Sequence, residues 1–113
     1  MIYRIAELPD WQQAQRTGQF SSSDLAAEGF IHASEIHQIL RTANKYYRGK
    51  TDLHLLEIDD VVLGELVIRE DSNGSGARFP HVYGPIPFAA IVRFFALTED
   101  PGTGFGLPAG LAG

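Results

Sequence analysis

The sequence contains no cysteine. Disulfides, thiolate metal sites and a cysteine nucleophile are therefore excluded. Basic residues are scarce, with 9 Lys and Arg against 14 Asp and Glu for a formal net charge of −5. A general nucleic-acid binder needs a basic footprint to displace counterions, so that class is excluded, while a small local anion site is not. No apolar run approaches the roughly 18 residues that a spanning helix requires. The opening residues MIYRIAELPDW carry neither a basic segment nor an apolar signal core. The expectation is a cytoplasmic protein with no membrane partner. Also missing are a Gly-x-x-x-x-Gly-Lys loop, a Gly-x-Gly-x-x-Gly turn, a serine elbow and any internal repeat.

What is present fits one globular domain. The chain has 113 residues, 44% hydrophobic and 20% charged, enough to bury roughly two thirds of its unfolded surface. Ile2 to Ala6 alternates as a short strand. Trp11 to Thr17 reads as a helix opened by Pro9-Asp10 and stopped by Gly18, and Leu25–Glu28 as one turn ended by Gly29. Phe30-Ile31-His32-Ala33 reads as a strand. Ser34 then caps a helix whose apolar positions Ile36, Ile39, Leu40, Ala43 and Tyr47 recur at helical spacing up to Gly49. Leu53–Ile58, Glu65–Glu70 and Ala90–Thr98 read as strands, with Asp59-Asp60 as a break and Asp71–Ala77 as a loop. Helices in the first half and strands in the second predict an α+β fold. Residues 1–98 form the domain, and residues 99–113 are a Gly- and Pro-rich tail expected to be loosely ordered.

Two segments crowd polar, aromatic and small residues: Glu28 to Ser34 and Arg78 to Pro85. His32 ends an apolar strand beside the Ser34 cap, where free N–H groups offer an anion a place to dock. A histidine there can bind a phosphate or ribose hydroxyl and move protons. The structural alternative is a histidine satisfied by a carbonyl, with Ser34 serving only as a cap. Pro80, Gly84 and Pro85 rigidly present His81 and Tyr83 on one side, with Arg78 next to them as a phosphate ligand. Here the alternative is an aromatic–proline packing corner. His37, Arg41 and Arg48 read as a solvated helix face, and His54 as structural. The four histidines show no paired ligand spacing, so no metal site is expected. Glu57 lies alone in an apolar strand.

Ile2-Tyr3-Arg4-Ile5, the Trp11 helix, Glu28-Gly29-Phe30-Ile31-His32-Ala33-Ser34, Asn44, the Leu53–Asp59 strand and Phe79-Pro80-His81-Val82-Tyr83-Gly84-Pro85 resemble the domain-of-unknown-function 952 family of small bacterial proteins. That family is similar in fold to the ADP-ribosyltransferases and RNA 2′-phosphotransferases. The resemblance implies a split, bent antiparallel β-structure with a cleft for NAD, used as a substrate and without a metal. It places Arg4, where the family more often has His, on the first strand facing the nucleotide. His32 and Ser34 fall at the second element, Tyr47 near the end of its helix, and His81 and Tyr83 at the late element. The sequence shows no counterpart to the glutamate that transferases present to the ribose. The resemblance therefore turns toward Arg- and His-based chemistry on phosphate or ribose, through Arg4, His32, Arg78 and His81.

Three functions follow. The first is an enzyme acting at the ribose of an ADP-ribosyl compound, with catalytic His32 and His81, Arg4 and Arg78 on phosphates, and Tyr83 stacked on a base. The second is a binding module holding a small nucleotide-like ligand without chemistry. The third is an interaction domain in which these side chains only pack. Fold analogy alone does not choose among them.

Overall fold

The computed structural model describes residues 1–112, and Gly113 lies outside the described residues. Helices and open antiparallel sheets combine in an α+β fold. The first sheet has the order β1–β4–β8, from Ile2–Ala6 (β1), Leu53–Ile58 (β4) and Ile91–Leu97 (β8). The second has the order β3–β6–β5, from Ile31–His32 (β3), Phe79–Val82 (β6) and Val67–Glu70 (β5). Gln19–Phe20 (β2) pairs with Ile86–Pro87 (β7) as a small separate ladder. Helices α1 (Leu8–Thr17), α2 (Ser23–Glu28) and α3 (Ile39–Tyr46) fall in the first half of the chain.

The first sheet has a core on each face, which explains why LHLLEI is nearly continuously apolar. Side chains alternate across a strand. Ile2, Ala6, Leu56 and Ile58 meet Trp11, Ala14, Phe20, Ile31 and Val82 on one face. Tyr3, Ile5, Leu53 and Leu55 meet Ile39 and Ala43 of α3 on the other. Gly18 ends α1 in the left-handed region at φ 85°, its N–H donating to Ala14 O at 2.9 Å.

Several expectations are corrected. Ser34 does not cap a helix. Its N–H donates to Tyr3 O at 2.8 Å and its carbonyl accepts from Tyr3 N at 2.9 Å, so its backbone belongs to an extended bridge. The helix begins instead as a 3-10 turn over Ile36–Gln38, and the Glu35 N–H donates to the Gln38 side chain at 2.9 Å. Ile36, expected in the core, is 45% exposed as a result. α3 ends at Tyr46, leaving Tyr47 as its C-cap. Asp59-Asp60 does not simply break the chain, because the Asp59 carboxylate accepts from Val61 N at 3.0 Å and caps a short helix, α4 (Asp60–Leu63). That helix and a 3-10 turn over Gly64–Leu66 shorten the strand expected over Glu65–Glu70 to β5.

The tail is not loose over its described residues. Glu99–Asp100 (β9) pairs with Gly104–Phe105 (β10), and a short α5 (Ala109–Ala112) follows. Phe105 and Leu111 are buried in the core under α3, and the Asn44 carbonyl accepts from Phe105 N at 2.9 Å. Gly104, at φ 89°, lies so close to the Asn44 and Arg48 side chains that a Cβ there would collide with them. Two anchored apolar residues are enough to hold a segment whose composition alone reads as unstructured. No helix among the described residues is long and apolar enough to cross a membrane.

Candidate functional site

A cavity of about 550 Å³ opens between α3, the ends of β1 and β3, and the second sheet. Of the residues singled out in the sequence, Arg4, His32, Ser34, Tyr47 and His81 line it. Arg78 and Tyr83 do not.

The second sheet sets the histidines. β3 and β6 pair antiparallel with His32 opposite His81, and their ring centroids lie 5.2 Å apart, edge to face. Phe30 stacks on His81, centroids 4.1 Å apart and planes 17° from parallel, which fixes the imidazole plane. His81 is only 2% exposed. Its Nδ1 lies 2.8 Å from a Glu70 carboxylate oxygen, and the same oxygen accepts a hydrogen bond from the Tyr83 hydroxyl. The Tyr83 and His81 hydrogen bonds hold the Glu70 carboxyl below the usual glutamate range. An ionised carboxylate only accepts, so the proton between them sits on His81 Nδ1. His81 Nε2 then has no protein partner among the described residues. His32 Nε2 lies 2.9 Å from Glu28.

Glu70, the carboxylate partner of His81, was not singled out in the sequence. It is also the correction for Tyr83, whose hydroxyl is committed to Glu70 rather than free to place the ring on a ligand. The signal was register. Ile68 pairs with His81, so Glu70 is the diagonal neighbour of His81 on the same face. Pairing VIRE with FPHV at that offset would have exposed it.

Arg4 is committed as well. Its Nη1 donates to Asp24 at 2.8 Å and to His32 O at 2.9 Å, while its buried Nε has no partner among the described residues. Burial would raise the Asp24 carboxyl, but the Arg4 charge, the His32 N–H and the Ser22 hydroxyl outweigh it and hold it low. The result ties β1, α2 and β3 together under the cavity floor. Arg4 therefore acts first as a strut, with its Nη2 and buried Nε N–H groups left without a partner among the described residues. Arg78 is exposed, and its carbonyl accepts from the Gln38 side chain at 2.7 Å.

Further cations lining the cavity come from α3. Arg41 and Lys45, one turn apart, line the cavity and make no ion pair among the described residues. Arg41 is exposed, as expected of a solvated helix face, and also lines the cavity. Lys50 also lines it but is paired to Glu7 at 2.9 Å. Burial pushes the Tyr47 phenol up, so Tyr47 offers a neutral hydroxyl to the cavity. The loop between β5 and β6 contributes Ser72, Asn73 and Ser75 to the rim. Among the described residues no three His, Asp or Glu side chains are gathered as metal ligands.

The cavity is thus lined by histidine–carboxylate pairs and by unpaired cations from α3. That defines an α+β protein with a polar cavity. The chain belongs to the family described as protein of unknown function (DUF952), which matches residues 5–94. Among solved structures it is similar to protein CC0527 from Caulobacter crescentus. The crystal structure of CC0527 shares 40% identity at a TM-score of 0.86, covering 98% of this chain and 97% of that one. The solution structure of CC0527 also shares 40% identity, with a TM-score of 0.78, covering 92% and 89%. No curated protein matches.

Proposed function

We propose that the cavity binds a nucleotide-like ligand of the NAD or ADP-ribosyl class and acts at its ribose. One observation carries this reading: His81, oriented by Glu70, stands opposite His32 in the β3–β6 ladder, in a cavity that the unpaired Arg41 and Lys45 also line. Cations in one cavity with a proton acceptor suit a ligand with phosphate at one end and a reactive sugar at the other.

In this reading Arg41 and Lys45 hold phosphate oxygens, and His32 with Ser34 binds ribose hydroxyls. The glycosidic bond of the ribose breaks, and the leaving base keeps the bonding pair. An acceptor hydroxyl or water forms the new bond to carbon and gives its proton to His81 Nε2. Glu70 holds the Nδ1 proton and stabilises the imidazolium that forms, as the carboxylate of a catalytic triad does. Tyr83 keeps Glu70 in place. A second reading, binding without chemistry, draws support from the near-complete burial of His81.

Titration of the protein with NAD and then ADP-ribose, followed on the imidazole nitrogens by NMR, tests both. Saturable shifts at His32 and His81 are expected, with free nicotinamide accumulating from NAD. Saturable shifts without nicotinamide select the binding module. Silence at millimolar ligand overturns the reading of the cavity altogether.

A further inference from the structure

The chain has two asparagines, and the structure treats them in opposite ways. Asn44 sits in α3 with both ends of its amide engaged, Nδ2 donating to Leu40 O at 2.9 Å and Oδ1 accepting from Phe105 N at 2.9 Å. Asn73 lies in the exposed loop between β5 and β6, on the cavity rim, and is followed by Gly74. Its carbonyl oxygen accepts from the Ser72 hydroxyl at 3.2 Å, which polarises the amide carbon toward attack.

The loop leaves the attacking atom free. Asp71 accepts from Ser75 N at 3.0 Å and from Gly76 N at 2.7 Å, and also from the backbone of Asn73. The Gly74 N–H between them has no partner among the described residues. Gly74 sits at φ 69°, a conformation its missing Cβ permits, and it puts no side chain in the way of its own nitrogen.

We infer that Asn73 is a spontaneous deamidation site that adds negative charge to the rim of the cavity. Gly74 N attacks Asn73 Cγ, forming a five-membered imide. The bond from Cγ to the amide nitrogen breaks, and ammonia leaves with the backbone proton. Water then adds to either imide carbonyl and opens the ring, giving aspartate or isoaspartate at position 73. No oxidant or cofactor is needed. Either product places a carboxylate on the cavity rim, on the same side as Glu70 and Asp71, and isoaspartate also lengthens the backbone by one methylene. A consequence follows that rests on the functional reading above: the aged protein binds an anionic ligand more weakly.

The test is incubation of the full chain in mildly alkaline buffer at 37 °C, about physiological temperature, followed by trypsin and mass spectrometry. Cleavage after Arg69 and Arg78 isolates Glu70–Arg78, which holds Asn73, while Asn44 falls in Thr42–Lys45 as an internal control. Exchange of NH2 for OH at a thermolabile asparagine adds about one dalton. That gain is expected in the first peptide and not in the second, with isoaspartate detected by enzymatic methyl transfer. The Asn73→Gln variant, which would need a larger ring, should keep its mass. An equal rate in both peptides, or no gain at Asn73, overturns the inference. The mass is read without any ligand, so this outcome is independent of the functional reading. Asn73→Asp protein, titrated with ADP-ribose beside wild type, should bind several-fold more weakly. Equal affinity removes that consequence and leaves the modification site standing.

Discussion

Glu70 and His81 are diagonal neighbours across the β5–β6 ladder, and a carboxylate oxygen of Glu70 lies 2.8 Å from His81 Nδ1. The Tyr83 hydroxyl donates to the same oxygen. Two donors on one carboxylate hold its ionised form, which is why the Glu70 carboxyl titrates low. Tyr83→Phe removes the larger of these two effects, so the Glu70 carboxyl should move up toward the ordinary glutamate range. Carbon-detected NMR of the glutamate carboxyls reads this directly. The sign is that of a depressed acid: the contribution to stability is present above the unfolded glutamate value and is lost as pH falls through the folded one. An unmoved Glu70 in Tyr83→Phe would mean that the tyrosine does not position the pair.

Arg41 and Lys45 carry the anion end of the cavity. Arg41→Ala and Lys45→Ala should each weaken binding of ADP-ribose by about tenfold to a hundredfold, since hydrogen bonds to charged groups contribute about 1.5–3 kcal/mol each. Both side chains are exposed, so added salt should weaken wild-type binding as well. Thermal midpoints should stay close to wild type. Calorimetric titration at two salt concentrations checks all three points. Unchanged affinity in both variants would place the phosphate elsewhere.

The elements that alternate or recur cleanly were legible in the sequence. β1 was legible by its alternation and β4 and β8 by their apolar runs, nearly continuous in β4 because both faces of its sheet meet a core, and α1 ends at a glycine that takes the left-handed cap. Three other features were hidden because a partner distant in sequence decides them. Ser34 has every local mark of a helix cap, but Tyr3 claims its backbone. The tail looks unstructured by composition, but Phe105 finds Asn44 and the core beneath α3. For the site, His32 and His81 stood out because polar, aromatic and small residues crowd around each, with a structural alternative open for both. Their carboxylate partners did not, because Glu70 becomes a neighbour of His81 only once the β5–β6 register is known. Arg41 read as a solvated arginine and is exposed, and that it also lines the cavity shows only in three dimensions.

Phe105 is the anchor of the last segment. It is buried beside Ile39, Ala43 and Leu97, and its N–H is held by Asn44. Phe105→Ala should destabilise the protein by about 3–5 kcal/mol, the range for truncating a buried aromatic. Urea unfolding should show a lower midpoint with little change in slope. A loss under about 0.5 kcal/mol, the size of an ordinary surface substitution, would mean that the segment is loosely held after all.

Glu57, alone in its apolar strand when read from the sequence, proves to be a buried carboxylate paired with the exposed Arg93. Arg93 donates to its two oxygens at 2.7 and 2.9 Å, and the Tyr3 hydroxyl donates to it at 2.9 Å. The Arg93 hydrogen bonds outweigh burial and hold the Glu57 carboxyl low. Burial, with the bond to Glu57, pushes the Tyr3 phenol up to about 12. The two shifts bound a pH window. Stability from Glu57 is lost as pH falls through its depressed value, and stability from Tyr3 is lost as pH rises through its raised one. Ultraviolet titration should therefore show one tyrosine ionising well after exposed tyrosines have done so. Tyr3→Phe should remove that late step and cost about 1.5–3 kcal/mol, the net worth of one hydrogen bond to a charged group. Arg93→Ala should cost more than Tyr3→Phe, because the buried carboxylate then loses both of its N–H donors. The reverse order would show that Glu57 is satisfied mainly by Tyr3.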